Sequence, residues 1–145
     1  MSRDERLNAQ EYLDEMVRQR GYVLEYHKLL VGADPEVAKA ANELGEATYL
    51  NQRRLDRKVK ELLSIVSLGA LRAPRAHIQG HIQVALRLGV EPEEILEALE
   101  LLLPECGVVA FQEALAAWAE AVGAEPLQPT MSVEVTAATP RTAAP

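Results

Sequence analysis

Residues 55–90, LDRKVKELLSIVSLGALRAPRAHIQGHIQVALRLGV, decide the fold of this chain. Apolar residues recur in this stretch at spacings of three and four, which is typical of amphipathic helices. Asp56 is placed to cap a first helix that ends near Leu71, and Pro74 separates it from a second helix over residues 75–88. The stretch therefore predicts a helical hairpin.

The remainder of the chain has the same helical character, because strand-type alternation is nearly absent. Ser2 with Glu5 has the capping-box pattern, and Asp34 before Pro35 is a strong helix start. Together with the hairpin, these signals predict an all-α fold with helices over residues 2–20, 22–31, 35–50, 56–71, 75–88, 92 to a break at Pro104, and a last helix that Gly123 ends.

Residues 1–124 form the predicted helical domain, and residues 125–145, rich in Ala, Thr and Pro, form a predicted disordered tail. Aromatic residues make up only 4% of the chain, so the core must rest on Leu, Ala, Val and Ile. Surplus apolar helix faces predict oligomerisation. For the helix over residues 35–50, the spacing predicts a buried face made of Val37, Ala40, Ala41, Leu44 and Thr48.

Charge and hydropathy argue against several classes of partner. The formal net charge is −7 at pH 7, whereas phosphate binding needs clustered Lys and Arg, so we expect neither nucleic acid nor a membrane surface as a partner. No apolar run approaches the roughly 18 residues of a membrane span. The N-terminus is charged from the outset and does not read as a secretory signal. These features predict a cytoplasmic protein.

His77 and His81 are the first candidates for chemistry. Their spacing of four places them on one face of the helix over residues 75–88, within its apolar arc. A buried imidazole beside a carboxylate can work as an acid or a base near neutral pH. Glu61, on the other helix of the hairpin, can supply that carboxylate to His81. Two alternatives stay open: core histidines bonded to backbone carbonyls, and a surface Glu61 paired with Lys60.

Metal and thiol chemistry are the other interpretations of these residue types. Two histidines at this spacing with a glutamate can bind Zn²⁺, but the only further histidine is His27, so we expect no metal and no cofactor. The single cysteine, Cys106, excludes an intramolecular disulfide and any dithiol motif. Cys106 follows Pro104 at a predicted helix start, where backbone N–H groups can lower a thiol pKa. It is therefore a candidate reactive thiol, with a small core residue as the alternative.

Three segments resemble the carboxymuconolactone decarboxylase family. Residues 55–63, LDRKVKELL, are similar to its LDRKxKEL signature. Residues 81–90, HIQVALRLGV, match its H-x-x-x-A-x-x-x-G pattern, and residues 93–99, EEILEAL, match its E-E-I-x-E-x-L continuation. The resemblance covers roughly residues 34–118.

The resemblance implies an all-α, alkylhydroperoxidase D-like helical bundle that assembles into trimers or hexamers. The peroxidase branch of the family carries C-x-x-C-x-x-x-H. Counted back from His81, its cysteines would fall at His77 and Pro74, so that chemistry lacks its thiols here. The decarboxylase branch keeps only a Glu and a His, which correspond to Glu61 and His81. Enzymes of that branch remove CO₂ from 4-carboxymuconolactone in protocatechuate breakdown.

From this resemblance we expect a cofactor-free lyase that decarboxylates a small carboxylated lactone or a related acid. His81 would transfer the proton, Glu61 would orient His81 or exchange a proton with the substrate, and His77 and Arg57 would hold a carboxylate. The expected partners are that small molecule and further copies of the chain. The alternatives are a non-catalytic oligomeric module with the same fold and an antioxidant protein that uses Cys106 alone.

Overall fold

The computed structural model describes residues 3–130 of the 145-residue chain, and within them it contains helices and no β-strand. The all-α prediction is confirmed. Residues 124–130 are non-helical and exposed, and the rest of the predicted tail, residues 131–145, lies outside the described part. The helices are α1 (Arg3–Arg20), α2 (Glu25–Ala33), α3 (Pro35–Gly45) with a π-helical turn over Glu46–Leu50, α4 (Arg57–Ala70), α5 (Arg75–Arg87), α6 (Pro92–Glu100), α7 (Leu102–Cys106) and α8 (Val108–Val122).

Aspartate side chains start two of these helices, as the sequence predicts. The carboxylate of Asp34 accepts a hydrogen bond from the backbone N–H of Val37 at 3.1 Å, and that of Asp56 accepts one from Val59 at 2.9 Å. Each bond satisfies an N–H group that a helix start leaves without an intrahelical partner. The starts of α3 and α4 are therefore set by local sequence.

Helices α4 and α5 form the predicted hairpin and pack against each other. Lys58, near the start of α4, donates a hydrogen bond of 2.9 Å to the carbonyl of Gly89, just beyond the end of α5, so the two helices run antiparallel. Helices α6, α7 and α8 complete the core with them. The largest fully buried apolar side chains of that core are Ile65, Ile78, Ile82, Ile95, Leu99 and Leu102, and they pack with Ala114 and Ala117 of α8.

The prediction for the buried face of α3 is wrong. Val37 and Leu44 are 52% and 66% exposed, whereas Ala38 and Asn42 are buried. Asn42 faces inward because its side-chain oxygen accepts a hydrogen bond from the buried guanidinium of Arg20, at the end of α1. This polar contact lies on the covered face of α3, and the apolar face is exposed.

Two predicted boundaries also differ from the structure. Residues 22–24 are not helical, and the last of them, Leu24, is extended, so α2 begins at Glu25. Pro104 does not break a helix but lies in the first turn of α7. Backbone N–H groups in a first turn have no intrahelical acceptor, so the N–H group that proline lacks costs no hydrogen bond there. The prediction that Cys106 lies at a helix start is wrong, because Cys106 is the last residue of α7, two residues ahead of α8; it is also exposed and is not a core residue.

The described surface carries large apolar side chains on several helices. Leu29 of α2, Leu44 of α3 and Leu63 of α4 are among those more than half exposed. None of the helices within residues 3–130 combines the length and the apolar character that crossing a lipid bilayer requires. The exposed leucines thus occur on short amphipathic helices.

Candidate active site

Glu61 and His81 meet between α4 and α5. Glu61 is 0% exposed and His81 is 6% exposed. Nδ1 of His81 lies 2.8 Å from Oε2 of Glu61. Because a carboxylate oxygen accepts, Nδ1 is the donor and carries a proton, which leaves Nε2 as the nitrogen that can gain or lose one. The hairpin thus brings together the two residues that the sequence singles out.

The second oxygen of Glu61 has two further donors. Nε of Arg57, one turn earlier on α4, lies 2.6 Å from Oε1, and the hydroxyl of Tyr49 also donates to Oε1. The guanidinium of Arg57 lies 4.1 Å from the centre of the Tyr49 ring, a cation–π contact. Burial, and then the bond to Glu61, raises the pKa of Tyr49, so this hydroxyl keeps the proton it donates. Three donors replace the water that a buried carboxylate lacks.

The other nitrogen of His81 faces a tyrosine. The hydroxyl oxygen of Tyr22 lies 3.0 Å from Nε2, and the two ring centres are 5.0 Å apart. With the proton of the neutral ring on Nδ1, Nε2 offers a lone pair that accepts the Tyr22 hydroxyl. Burial raises the pKa of Tyr22 to about 12, so the phenol is protonated at neutral pH. The hydrogen bonds therefore form one chain from Tyr22 through His81 to Glu61.

Sequence reasoning misses both tyrosines of this site. Tyr49 projects from the π-helical turn Glu46–Leu50, and Tyr22 from the non-helical residues ahead of α2. π-helical turns occur frequently at functional sites. The sequence contains one signal that could have pointed to them. All four tyrosines lie before residue 50, in about the first third of the chain and outside the core hairpin.

His77 lies beside the pair. Its ring centre is 5.6 Å from that of His81, and the two rings are inclined by 28°. Burial, and then the neighbouring His81, lowers the pKa of His77. Binding of a substrate carboxylate by His77 stays a prediction. The same role for Arg57 also stays a prediction, and the guanidinium of Arg57 is already paired with Glu61.

Thiol and metal chemistry have little support around this pair. The exposed Cys106 ends α7, and its reactivity stays a prediction. Within residues 3–130 no three His, Cys, Asp or Glu side chains cluster in a way that could hold a metal ion. The Glu61–His81 pair is therefore the strongest chemical feature of the described part.

His27 belongs to a second polar cluster, with Arg20. Its Nδ1 accepts a hydrogen bond of 3.0 Å from the backbone N–H of Leu24, and its Nε2 lies 3.0 Å from Nη1 of Arg20. Burial, and then the positive charge of Arg20, lowers the pKa of His27 to about 4. The folded protein therefore holds His27 neutral at pH 7.

This lowered pKa predicts a loss of stability in mild acid. An unfolded chain protonates His27 near pH 6.5 and the folded chain only near pH 4, so stability falls between these values as pH decreases. Relative to the parent, His27→Gln, which can still accept from Leu24, should lose about 2 kcal/mol less on going from pH 7 to pH 4.5. Urea unfolding at both pH values measures this. Equal losses in the two proteins would contradict it.

The all-α architecture is that of an alkylhydroperoxidase D-like helical bundle. The sequence model of the carboxymuconolactone decarboxylase family matches residues 35–120, more than half of the chain, and the chain belongs to this family. No protein with a curated description matches the sequence. The matched region contains Glu61, His81 and Tyr49, and it begins after Tyr22.

Proposed function

We propose that the protein is a cofactor-free carboxy-lyase that decarboxylates a small carboxylated lactone or a related acid, of the 4-carboxymuconolactone type. One observation carries the proposal: a buried Glu61 with three hydrogen-bond donors holds His81 through Nδ1 at 2.8 Å. This geometry leaves Nε2 for proton transfer. Membership of the family adds support, since its decarboxylase branch also lacks the paired cysteines.

The proposed reaction needs a proton rather than an electron carrier. When the C–C bond to the carboxylate breaks, CO₂ leaves and the electron pair passes into the conjugated lactone, where a carbon then takes a proton. His81 would drive that proton transfer, and Glu61 would fix the ring and stabilise its charged form. His77, next to His81, would contact the substrate carboxylate, with Arg57 as the nearest strong cation to the pair.

The direct test is CO₂ release from 4-carboxymuconolactone, followed together with the loss of substrate absorbance. We expect the parent to release one CO₂ for each substrate consumed. The double variant Glu61→Gln/His81→Gln, which keeps the size and polarity of the site, should release CO₂ only at the uncatalysed rate. A folded parent no faster than the double variant would overturn the proposed activity.

A second candidate function is a non-catalytic module of the family. It is favoured by the closure of the site, because His81 is only 6% exposed and the Tyr22 hydroxyl covers its Nε2. A module that has lost the chemistry would keep this polar network for stability alone. It would release no CO₂ from any small carboxylated lactone, and the double variant would differ from the parent in stability only.

We also propose that the protein is a homo-oligomer, a trimer or a hexamer. Support comes from the apolar side chains that α2, α3 and α4 leave exposed, Leu29, Leu44 and Leu63 among them. Light scattering coupled to gel filtration should give three or six times the mass of one chain. A monomer mass at micromolar concentration would contradict this proposal.

A further inference from the structure

Tyr22 reaches the site from outside the region that the family model matches. The non-helical residues 22–24 connect α1 to α2, and the Tyr22 ring lies against α5 at Gly80, immediately before His81. A Cβ atom at Gly80 would lie 3.4 Å from two carbons of that ring, so the glycine allows the ring to lie close to the helix. This packing places the hydroxyl 3.0 Å from Nε2 of His81.

We infer that Tyr22 is a further catalytic residue. Its hydroxyl donates a proton to the substrate, and His81 then reprotonates the Tyr22 oxygen. The inference rests on the proposed decarboxylation. Both nitrogens of His81 are engaged, Nδ1 by Glu61 and Nε2 by Tyr22. His81 is buried, whereas Tyr22 is only partly covered. The Tyr22 hydroxyl therefore lies between Nε2 of His81 and a ligand that approaches from the side of Tyr22.

The proton balance of this step closes without a cofactor. The bond from the substrate carbon to its carboxylate breaks, CO₂ leaves, and a carbon of the lactone takes the proton of the Tyr22 hydroxyl. Before this transfer His81 takes up a proton from solvent at Nε2, which then donates to the phenol oxygen and frees the hydroxyl proton for the substrate. The phenolate oxygen takes that Nε2 proton once the hydroxyl proton has left. His81 is then neutral again, so each turnover consumes one proton from solvent and releases one CO₂. No atom is oxidised or reduced by a partner.

The surroundings of Tyr22 suit an acid rather than a base. Burial is the main cause of its raised pKa, and the charges of Arg20 and Arg57 act in the opposite direction to those of Glu61 and Tyr26. The phenol therefore holds its proton across the neutral range. It releases that proton when a basic carbon forms beside it and His81 replaces the proton at once.

The test compares Tyr22→Phe with Tyr12→Phe on 4-carboxymuconolactone. Phenylalanine keeps the ring that packs against Gly80 and removes only the hydroxyl. Tyr12 is a matched control, because it lines a different cavity of about 560 Å³ with Val31, Pro35 and Lys39. We expect kcat of Tyr22→Phe to fall on the order of 100-fold with KM changed little, and Tyr12→Phe to match the parent.

Each other result decides against the inference. A Tyr22→Phe enzyme with the parent's kcat would mean that His81 contacts the substrate itself, and the decarboxylase proposal would stand without Tyr22. A faster Tyr22→Phe enzyme would make the hydroxyl a mere obstruction over Nε2. If the folded parent does not release CO₂, the decarboxylase proposal fails first, and the role of Tyr22 fails with it.

Discussion

His81→Gln is expected to lower kcat for 4-carboxymuconolactone by at least about 100-fold, the usual contribution of a positioned acid or base. Glutamine can still donate a hydrogen bond to Oε2 of Glu61, so the fold should persist. Its amide cannot gain or lose a proton at neutral pH, so proton transfer stops there. Rates of CO₂ release under saturating substrate measure the effect.

His77→Gln is the matched control, since it makes the same change one turn earlier on α5. His77 neighbours His81 and is proposed to contact the substrate carboxylate, so this variant should raise KM more than it lowers kcat. If both variants lost kcat equally, the result would contradict a role in proton transfer that is specific to His81. A parent-like kcat in His81→Gln would remove it from the chemistry altogether.

Glu61→Leu is expected to have the largest effect on stability, a loss of about 3–5 kcal/mol in the free energy of unfolding. The substitution removes the acceptor of Arg57, Tyr49 and His81 together, and it leaves a partly buried guanidinium without a carboxylate. Such a loss is a large fraction of the total stability of a domain of this size. Urea unfolding monitored by circular dichroism measures it.

Glu113→Leu provides the control for this change. Glu113 also pairs with an arginine, Arg75, at 3.1 Å, but both side chains are about half exposed, so its loss should cost far less stability than the loss of Glu61. Glu61→Gln should fall between the two, because it keeps an acceptor for Arg57 and Tyr49. Equal stability losses in Glu61→Leu and Glu113→Leu would mean that the buried network contributes nothing beyond a surface ion pair.

Local signals in the sequence were sufficient where neighbouring residues decide the structure. Asp34 and Asp56 start α3 and α4 because each cap depends on the next three residues only. The Glu61–His81 contact was also within reach, since one hairpin with a short turn joins the two residues. The catalytic roles of the pair stay predictions.

The rest of the site depends on contacts between distant parts of the chain. Tyr22 lies 59 residues before His81 in sequence, and the path of residues 22–24 decides where its hydroxyl falls. The buried face of α3 was mispredicted for a related reason. The apolar spacing favours Val37 and Leu44, but Asn42, which accepts a hydrogen bond from Arg20, 22 residues away, lies on a different face of the helix, and that face is the buried one. Periodicity does not encode a polar contact of this kind.

Deuterium uptake during decarboxylation shows whether the Glu61–His81 pair moves a proton while CO₂ leaves. The parent and His81→Gln are run side by side on 4-carboxymuconolactone in D₂O, with CO₂ and deuterium in the product both quantified. We expect the parent to release one CO₂ per substrate and to place one deuterium on a product carbon in a single configuration. The variant should match the uncatalysed rate. Equal rates in parent and variant, or deuterium in both configurations from the parent, would contradict it.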